Sequence, residues 1–269
     1  MFKVPLDVYE LEQSSRRLRT LRQALPASDI ELLAREVIDR LAAKADITAY
    51  DDPRQAHRIQ LLGAALLSPD ASLIVEAAAE LSEEGVTLSD LYTIYLGGAA
   101  RYLGELWEQD EVSFADVTLA ASRIFGIVNR MRDSRPLRPV THTQTLVVAP
   151  IPDENHTLGA QMVADLLREA GWDVMLILEP DHESLIRAVE KSDCRILAIS
   201  ASASLHVAAL ARLVVALRMS QPDLKIMIGG RIVSQEPELV DLMQPDSVAN
   251  DIDFAIAELR RIEADLRQA

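Results

Sequence analysis

The chain has 269 residues, enough for two ordinary domains, and is 49% apolar but only 4% aromatic, which points to cores of Leu, Ile, Val and Ala. Its 27 Lys and Arg against 42 Asp and Glu give a formal net charge of −15, which repels a phosphate backbone and argues against direct nucleic-acid binding. The single Cys194 excludes an internal disulfide or a cysteine-rich zinc site, no apolar run approaches the roughly 18 residues of a membrane span, and Met1-Phe2-Lys3-Val4-Pro5 lacks the regions of a signal peptide; the expectation is a soluble, cytoplasmic chain with no membrane association.

Residues 1–50 read as an N-terminal helical segment. Tyr9, Leu11, Leu18, Leu21 and Leu25 have loose helical spacing around the basic stretch Arg16-Arg17-Leu18-Arg19. A solvated helix face is the weightier reading of that stretch, and contact with an acidic partner the lesser. Pro26 interrupts, and Ser28-x-x-Glu31 is a capping box ahead of Ile30, Leu33, Val37, Ile38 and Leu41 on one face.

Residues 51–133 carry four helical segments, Arg54 to Leu67, Asp70 to Glu84, Leu88 to Gln109 and Phe114 to Arg132, broken by Pro69, Gly85 and Asp110-Glu111. Such short connections favour antiparallel neighbours and therefore a four-helix bundle. Thr87 and Ser113 are candidate N-caps. Gly97-Gly98 inside the third helix costs about 1 kcal/mol per glycine relative to alanine, which close packing of a neighbouring helix would offset. Phe114 and Ile124 read as bundle core. Residues 134–143, with Pro136 and Pro139, form the linker.

From 144 to 269 the pattern alternates. Strands are expected at Thr145 to Ala149, Asp173 to Leu178, Ile196 to Ile199, Leu224 to Ile228 and Ser247 to Ala249. Helices are expected at Leu158 to Ala170, His182 to Glu190, Leu205 to Met219, Gln235 to Leu242 and Ile252 to Leu266. Five β-α units with short, continuously apolar strands imply a parallel sheet sandwiched by helices, whose ligands sit beyond the strand C-termini.

The loops at those C-termini are specific. The first strand leads into Asp153-Glu154-Asn155-His156-Thr157-Leu158-Gly159, the third into Ser200-Ala201-Ser202-Ala203-Ser204, and the fourth into Gly229-Gly230. A carboxylate two residues before a histidine, on a strand-to-helix loop closed by glycine, suits an imidazole held outward as a metal ligand. The serines bring hydroxyls, and the glycine pair lets a flat or bulky ligand approach the backbone. Neither a Walker-type loop nor GxGxxG occurs, which argues against the usual nucleotide sites. The bland alternative is that His156 caps a loop and Glu154 forms a surface pair. His57, His142, His182 and His206 read as surface or packing histidines, and Trp172 as packing against the sheet.

On Glu154-x-His156-x-x-Gly159, Ser200-x-Ser202 and Gly229-Gly230, residues 144 to 266 resemble the cobalamin-binding domain of methionine synthase, the mutases and the light-sensing regulators. The resemblance implies a flavodoxin-like, doubly wound five-stranded parallel sheet, with the bundle as a cap before it. It makes His156 the lower cobalt ligand of a base-off cobalamin and Glu154 the partner of its other imidazole nitrogen, a bond that fixes the tautomer and raises ligand basicity. Asn155 belongs to the same binding loop. Ser200 lies near that pair or the nucleotide tail, Gly159 leaves room for the tail, and Gly229 and Gly230 form its channel. Ser202 replaces the family's leucine.

The bundle resembles the helical cap of such proteins at Leu103-Gly104-Glu105-Leu106-Trp107 and Glu111-Val112-Ser113-Phe114-Ala115-Asp116-Val117-Thr118. In CarH-type photoreceptors the matching tryptophan packs on the adenosyl group and a Glu-His pair follows. Here Val117 and Thr118 stand at the pair's positions. The likeness is closer to cobalamin- or haem-binding photosynthesis regulators of the AerR/PpaA type. The competing reading of Trp107 is a core residue between helices.

Three functions follow from these resemblances. The first is a sensor in which adenosylcobalamin or hydroxocobalamin, capped near Trp107, answers light or redox state and alters contact with a protein partner, a transcriptional repressor; a homo-oligomer is compatible with it. The second is a corrinoid protein carrying methyl groups between methyltransferases. The third is a haem-binding sensor that uses His156.

Overall fold

The structure is a computed structural model that describes residues 52–133, 139–152, 154, 157–201 and 206–268. The helical segment expected over 1–50 lies outside the described residues. The chain divides into two compact units, Met1–Pro136 and Leu137–Ala269.

The first unit is helical. Helix α1 (Pro53–Leu67) starts at Asp52, whose carboxylate accepts from the Arg54 N–H at 2.9 Å, with Pro53 in the first turn where no N–H is needed. It buries Ile59, Leu62, Ala65 and Leu66. Helix α2 is Ser72–Glu83. The third expected helix is continuous but not uniform: α3 (Leu88–Asp90) passes through a π-helical segment, Leu91–Leu96, into α4 (Gly97–Glu108). Helix α5 is Phe114–Asp133.

Both expected caps form. The Thr87 hydroxyl accepts from the Asp90 N–H at 3.1 Å. Ser113 and Asp116 make a reciprocal pair, with the Asp116 N–H on Ser113 Oγ at 3.3 Å and the Ser113 N–H on the Asp116 carboxylate at 3.1 Å. The glycines explain the closest approach. A Cβ on Gly98 would stand 2.7 Å from Ile59 Cδ1, and one on Gly63 would stand 2.6 Å from the Tyr102 ring, so α1 and α4 meet through glycine on both sides. A neighbouring helix therefore occupies the space beside Gly98.

Arg123 on α5 is buried, and its Nη1 donates to the Leu66 and Ser68 carbonyls at 2.6 Å each. These are orphan carbonyls at the C-terminal end of α1, where the helix dipole favours a cation. Phe114 is half-buried, and Ile124 is fully buried core.

The second unit is the expected parallel sheet. The order is β2-β1-β3-β4-β5, with β1 (Thr145–Pro150), β2 (Asp173–Leu176), β3 (Ile196–Ser200), β4 (Lys225–Gly229) and β5 (Ser247–Ala249), all pairs parallel. The helices are α6 (Leu158–Glu169), α7 (His182–Lys191), α8 (Val207–Ser220), α9 (Ile232–Gln235), α10 (Pro237–Leu242) and α11 (Ile252–Gln268).

Strand residues alternate between two cores, as a period of two requires. Val147, Ala149, Leu197, Ile199, Ile226 and Ile228 pack against α7 to α10 on one face. Leu146, Val148, Ile196, Ala198 and Met227 pack against Ala160, Ala164 and Leu167 of α6 and Leu259 and Ile262 of α11 on the other. Helices on both faces make the sheet doubly wound and flavodoxin-like. Cys194 is a free, buried core residue, and burial pushes its thiol up.

Several boundaries differ from the sequence reading by a residue or two. The helix expected over Gln235 to Leu242 is two pieces, α9 and α10, because Glu236 adopts φ −133°, away from the helical region that a residue before proline avoids. β2 stops at Leu176 rather than Leu178, on the edge of the sheet. Among the described residues no helix is long and apolar enough to cross a membrane.

Candidate functional site

The sheet register sets the rim. Pro150 pairs with Ser200, Ser200 with Gly229 and Gly229 with Ala249, so the last residues of β1, β3, β4 and β5 form one row. Backbone bonds then stitch the loops beyond it. The Ile151 N–H donates to the Ser200 carbonyl at 3.2 Å, the Ala201 N–H to the Gly229 carbonyl at 2.9 Å and the Ile232 N–H to the Ala201 carbonyl at 3.2 Å. Three segments far apart in sequence thus leave the sheet at one level.

Glu154 stands just beyond this row. Its N–H donates to the Ile151 carbonyl at 3.1 Å, closing a tight turn after β1, and its side chain is 2% exposed. A carboxylate removed from water to this degree requires polar or cationic company, so Glu154 is not a surface ion-pair residue. Asn155 and His156, and Ser202 in the loop after β3, lie outside the described residues. Ser200 is half-buried at the rim, and Gly159 is buried in the first turn of α6.

The glycine pair has a direct steric cause. Gly230 has φ +101°, and a Cβ there would stand 2.4 Å from the Ala201 carbonyl oxygen, which only glycine avoids. A Cβ on Gly229 would stand 3.3 Å from the Ala249 carbonyl oxygen, a tight but lesser conflict. Gly230 therefore serves the β3–β4 loop crossing itself, and Gly229 is the one whose bare backbone faces the rim row at smaller structural cost.

Sequence reasoning passed over three buried polar residues that follow Glu154. Thr157, Gln161 and Asp165 recur at every fourth position of α6 and its lead-in, and all are buried. Gln161 Nε2 donates to Thr157 Oγ1 at 3.0 Å, and Arg168 reaches Asp165 at 3.4 Å. The signal was present as a polar stripe at i, i+4 and i+8, but a stripe of that kind on a sheet helix ordinarily reads as the wet face. Here it is dry.

Trp107 lies in the last turn of α4, half-buried, and its carbonyl accepts from the Asp110 N–H at 3.0 Å. Val117 is buried in the bundle, and Thr118 Oγ1 donates to the Phe114 carbonyl at 3.0 Å. Neither position can ligate a metal.

Among the other histidines, His142 lies against Trp172 with ring centroids 3.8 Å apart, and its Nδ1 is 2.8 Å from Glu263 Oε2. This is a packing role, far along the strands from the rim. Among the described residues no group of three or more His, Cys, Asp or Glu side chains could hold a metal ion. A corrin, which brings four nitrogen donors of its own, asks the protein for one ligand only.

The B12 binding domain family matches residues 144–250, a span that includes the whole rim. The "Uncharacterized 20.5 kDa protein in bchF-crtJ intergenic region" of Rhodobacter capsulatus is 31% identical over 176 residues, covering 64% of this chain and 92% of that protein. Among solved structures, the Methanosarcina barkeri monomethylamine corrinoid protein superposes with a TM-score of 0.63 at 16% identity, over 75% of this chain and 96% of that one; this is a likeness of fold.

Proposed function

Because the chain belongs to the family of B12-binding-domain proteins, we propose that it is a regulatory sensor that binds cobalamin and acts, in response to light or redox state, by binding a protein partner that regulates transcription. The observation that carries the cofactor part is Glu154, a carboxylate 2% exposed, two residues before His156 and one turn beyond the Pro150–Ser200–Gly229 row. The donor set fits the group: one imidazole for cobalt, a buried acid to orient it, a hydroxyl and bare glycine backbone beside it.

A bound cobalamin supplies a cobalt centre whose upper ligand is labile to light and reduction. The chain's own residues do the rest. His156 would hold the cobalt, and Glu154 would orient its imidazole and favour one tautomer. Ser200 and Gly229 would lie beside the nucleotide tail of a bound cobalamin, and Asn155, Gly159, Ser202 and Gly230 belong to the loops that would receive it. In the helical unit, the resemblance to such caps makes Trp107, half-buried at the end of α4, a candidate cofactor contact, while Val117 is buried and has no donor atom.

The sensor reading requires that the two cofactor states favour different partner affinities. It is tested by reconstituting the purified chain with hydroxocobalamin or adenosylcobalamin and recording absorption in dark and light, then partner or oligomer changes. The expected result is a histidine-ligated spectrum that changes on illumination and loses its histidine signature in His156→Ala. A Soret band on haem titration with no cobalamin uptake, or methyl transfer from methylcobalamin to a thiol acceptor with a cognate methyltransferase, would overturn it.

A further inference from the structure

The outer surface of the second unit carries an apolar groove of about 300 Å³ between α8 and α10, lined by Val207, Ala211, Val215, Leu239, Leu242 and Met243. Its edges are far more exposed than a folded core residue allows: Met219 on the same face of α8 is 82% exposed, Leu242 77%, Val215 59% and Leu239 41%. Contiguous apolar side chains of this size on a highly charged surface mark an interaction site rather than scattered surface residues.

The α10 side of the groove is acidic. From Ile232 to Leu242 there is no Lys or Arg, while Glu236, Glu238 and Asp241 stand on the α10 side, the last two exposed. On α8, Arg218 is held by Asp246 at 2.8 Å and by the Leu224 and Gln244 carbonyls, and Arg212 sits nearly a turn before Val215. A second copy of the chain would bring its own charge of −15 against this wall. A partner with cationic side chains beside its apolar face meets no such repulsion.

We propose that the α8–α10 groove docks an amphipathic helix of a protein partner, apolar at i, i+3, i+4 and i+7 and flanked by Lys or Arg on the side that faces α10. Leu242 and Met219 are the anchors, and Glu238 and Asp241 set the orientation. The proposal rests on the reading that the chain acts through a protein partner, and it names the surface used.

The probe is a fluorescent synthetic helix of about five turns with leucine at those positions and lysine and arginine elsewhere, compared with the same peptide carrying glutamate instead. Anisotropy with the full chain should show binding of the basic peptide and none of the acidic one. Leu242→Asp should weaken binding at least about tenfold, as loss of an anchor does. The pair Glu238→Lys with Asp241→Lys should weaken it about three- to tenfold, with the remaining affinity less sensitive to salt. Glu76→Lys with Glu83→Lys on exposed α2 makes the same charge change elsewhere and should leave binding unchanged. Equal weakening by the α2 pair would mean attraction to net charge alone and overturn the proposal, as would self-association abolished by Leu242→Asp. Cobalamin absorbance recorded in each variant separates the two readings: peptide binding with no cobalamin uptake refutes the sensor but leaves the groove standing, and uptake with no peptide binding does the reverse.

Discussion

His142 lies flat on Trp172, with ring centroids 3.8 Å apart and planes 4° from parallel, and the same imidazole reaches Glu263 Oε2 through Nδ1 at 2.8 Å. An ionised carboxylate only accepts, so Nδ1 carries the proton toward it. Glu263 Oε1 also accepts from the Thr143 N–H at 2.6 Å and the Thr143 hydroxyl at 3.0 Å, with Arg267 at 3.1 Å. The stretch entering β1 is thereby fastened to α11 and to the turn before β2.

This carboxylate makes stability depend on acid. Burial by itself pushes the pKa of Glu263 up, but the bonds from His142 and Thr143 outweigh it and hold the pKa at about 2 against an ordinary 4.5. The folded-state value is depressed, so the contribution is complete above pH 4.5 and is lost as pH falls from 4.5 through about 2. At about 1.36 kcal/mol per tenfold change in acidity the loss is on the order of 3 kcal/mol. Urea midpoints should fall across that window in the native chain and stay flatter in Glu263→Gln, which at pH 7 should itself be less stable by about 1.5–3 kcal/mol. An identical slope in both proteins would refute the assignment.

Glu154 and His156 should behave as a pair. Glu154→Ala should weaken cobalamin uptake about 10- to 100-fold, the usual cost of losing a ligand's orienting partner. In a His156→Ala background the same change should add little, because the residue it orients is gone. Absorbance titration of the four proteins checks it, and additive losses would separate Glu154 from His156.

The two rim glycines should respond differently. Gly230→Ala forces a side chain at φ +101° into the Ala201 carbonyl and should lower stability by at least about 2 kcal/mol. Gly229→Ala meets a carbonyl at 3.3 Å, should cost about 1 kcal/mol or less, and should show its effect in cobalamin affinity. Thermal melts beside titrations distinguish them; equal melting losses would contradict the division.

Among the described residues of the helical unit, Arg123 is a charged side chain buried in the core. Arg123→Met removes two charge-assisted bonds to the end of α1 and leaves the Leu66 and Ser68 carbonyls to find other donors, so about 2–4 kcal/mol should be lost. Because the guanidinium is buried, the loss read from denaturant curves should scarcely change between low and high salt. A salt-dependent loss would count against it.

Local chemistry made most of the fold legible. Thr87, Ser113 and Gly85 punctuate the first unit as turn and cap residues do, and short apolar runs such as Leu146 to Ala149, alternating with helical patterns, read as strands covered on both faces. Pairing was not legible. That Pro150, Ser200 and Gly229 share one row is a matter of register, which strand composition leaves open. The Glu263 cluster escaped because His142 and its partner are 121 residues apart and each alone is an ordinary polar residue. Glu154 was singled out beside His156, but its near-complete burial depends on how the turn after β1 folds back. Thr157, Gln161 and Asp165 were missed because periodicity finds a face without saying whether it is wet.

The π-helical segment Leu91–Leu96 governs phase. Buried positions there recur at fours, as Leu88, Tyr92, Leu96 and Ala100 and as Leu91, Tyr95, Ala99 and Leu103, whereas an unbroken α-helix would drift about 40° at each such step. The wider winding absorbs that drift and keeps one seam in register from Leu88 to Leu103. Rewinding the same six residues as ordinary α would turn everything after them by about 100° and swing the Trp107 indole to a different side of the rod, whereas removing one residue at the same time would restore the phase.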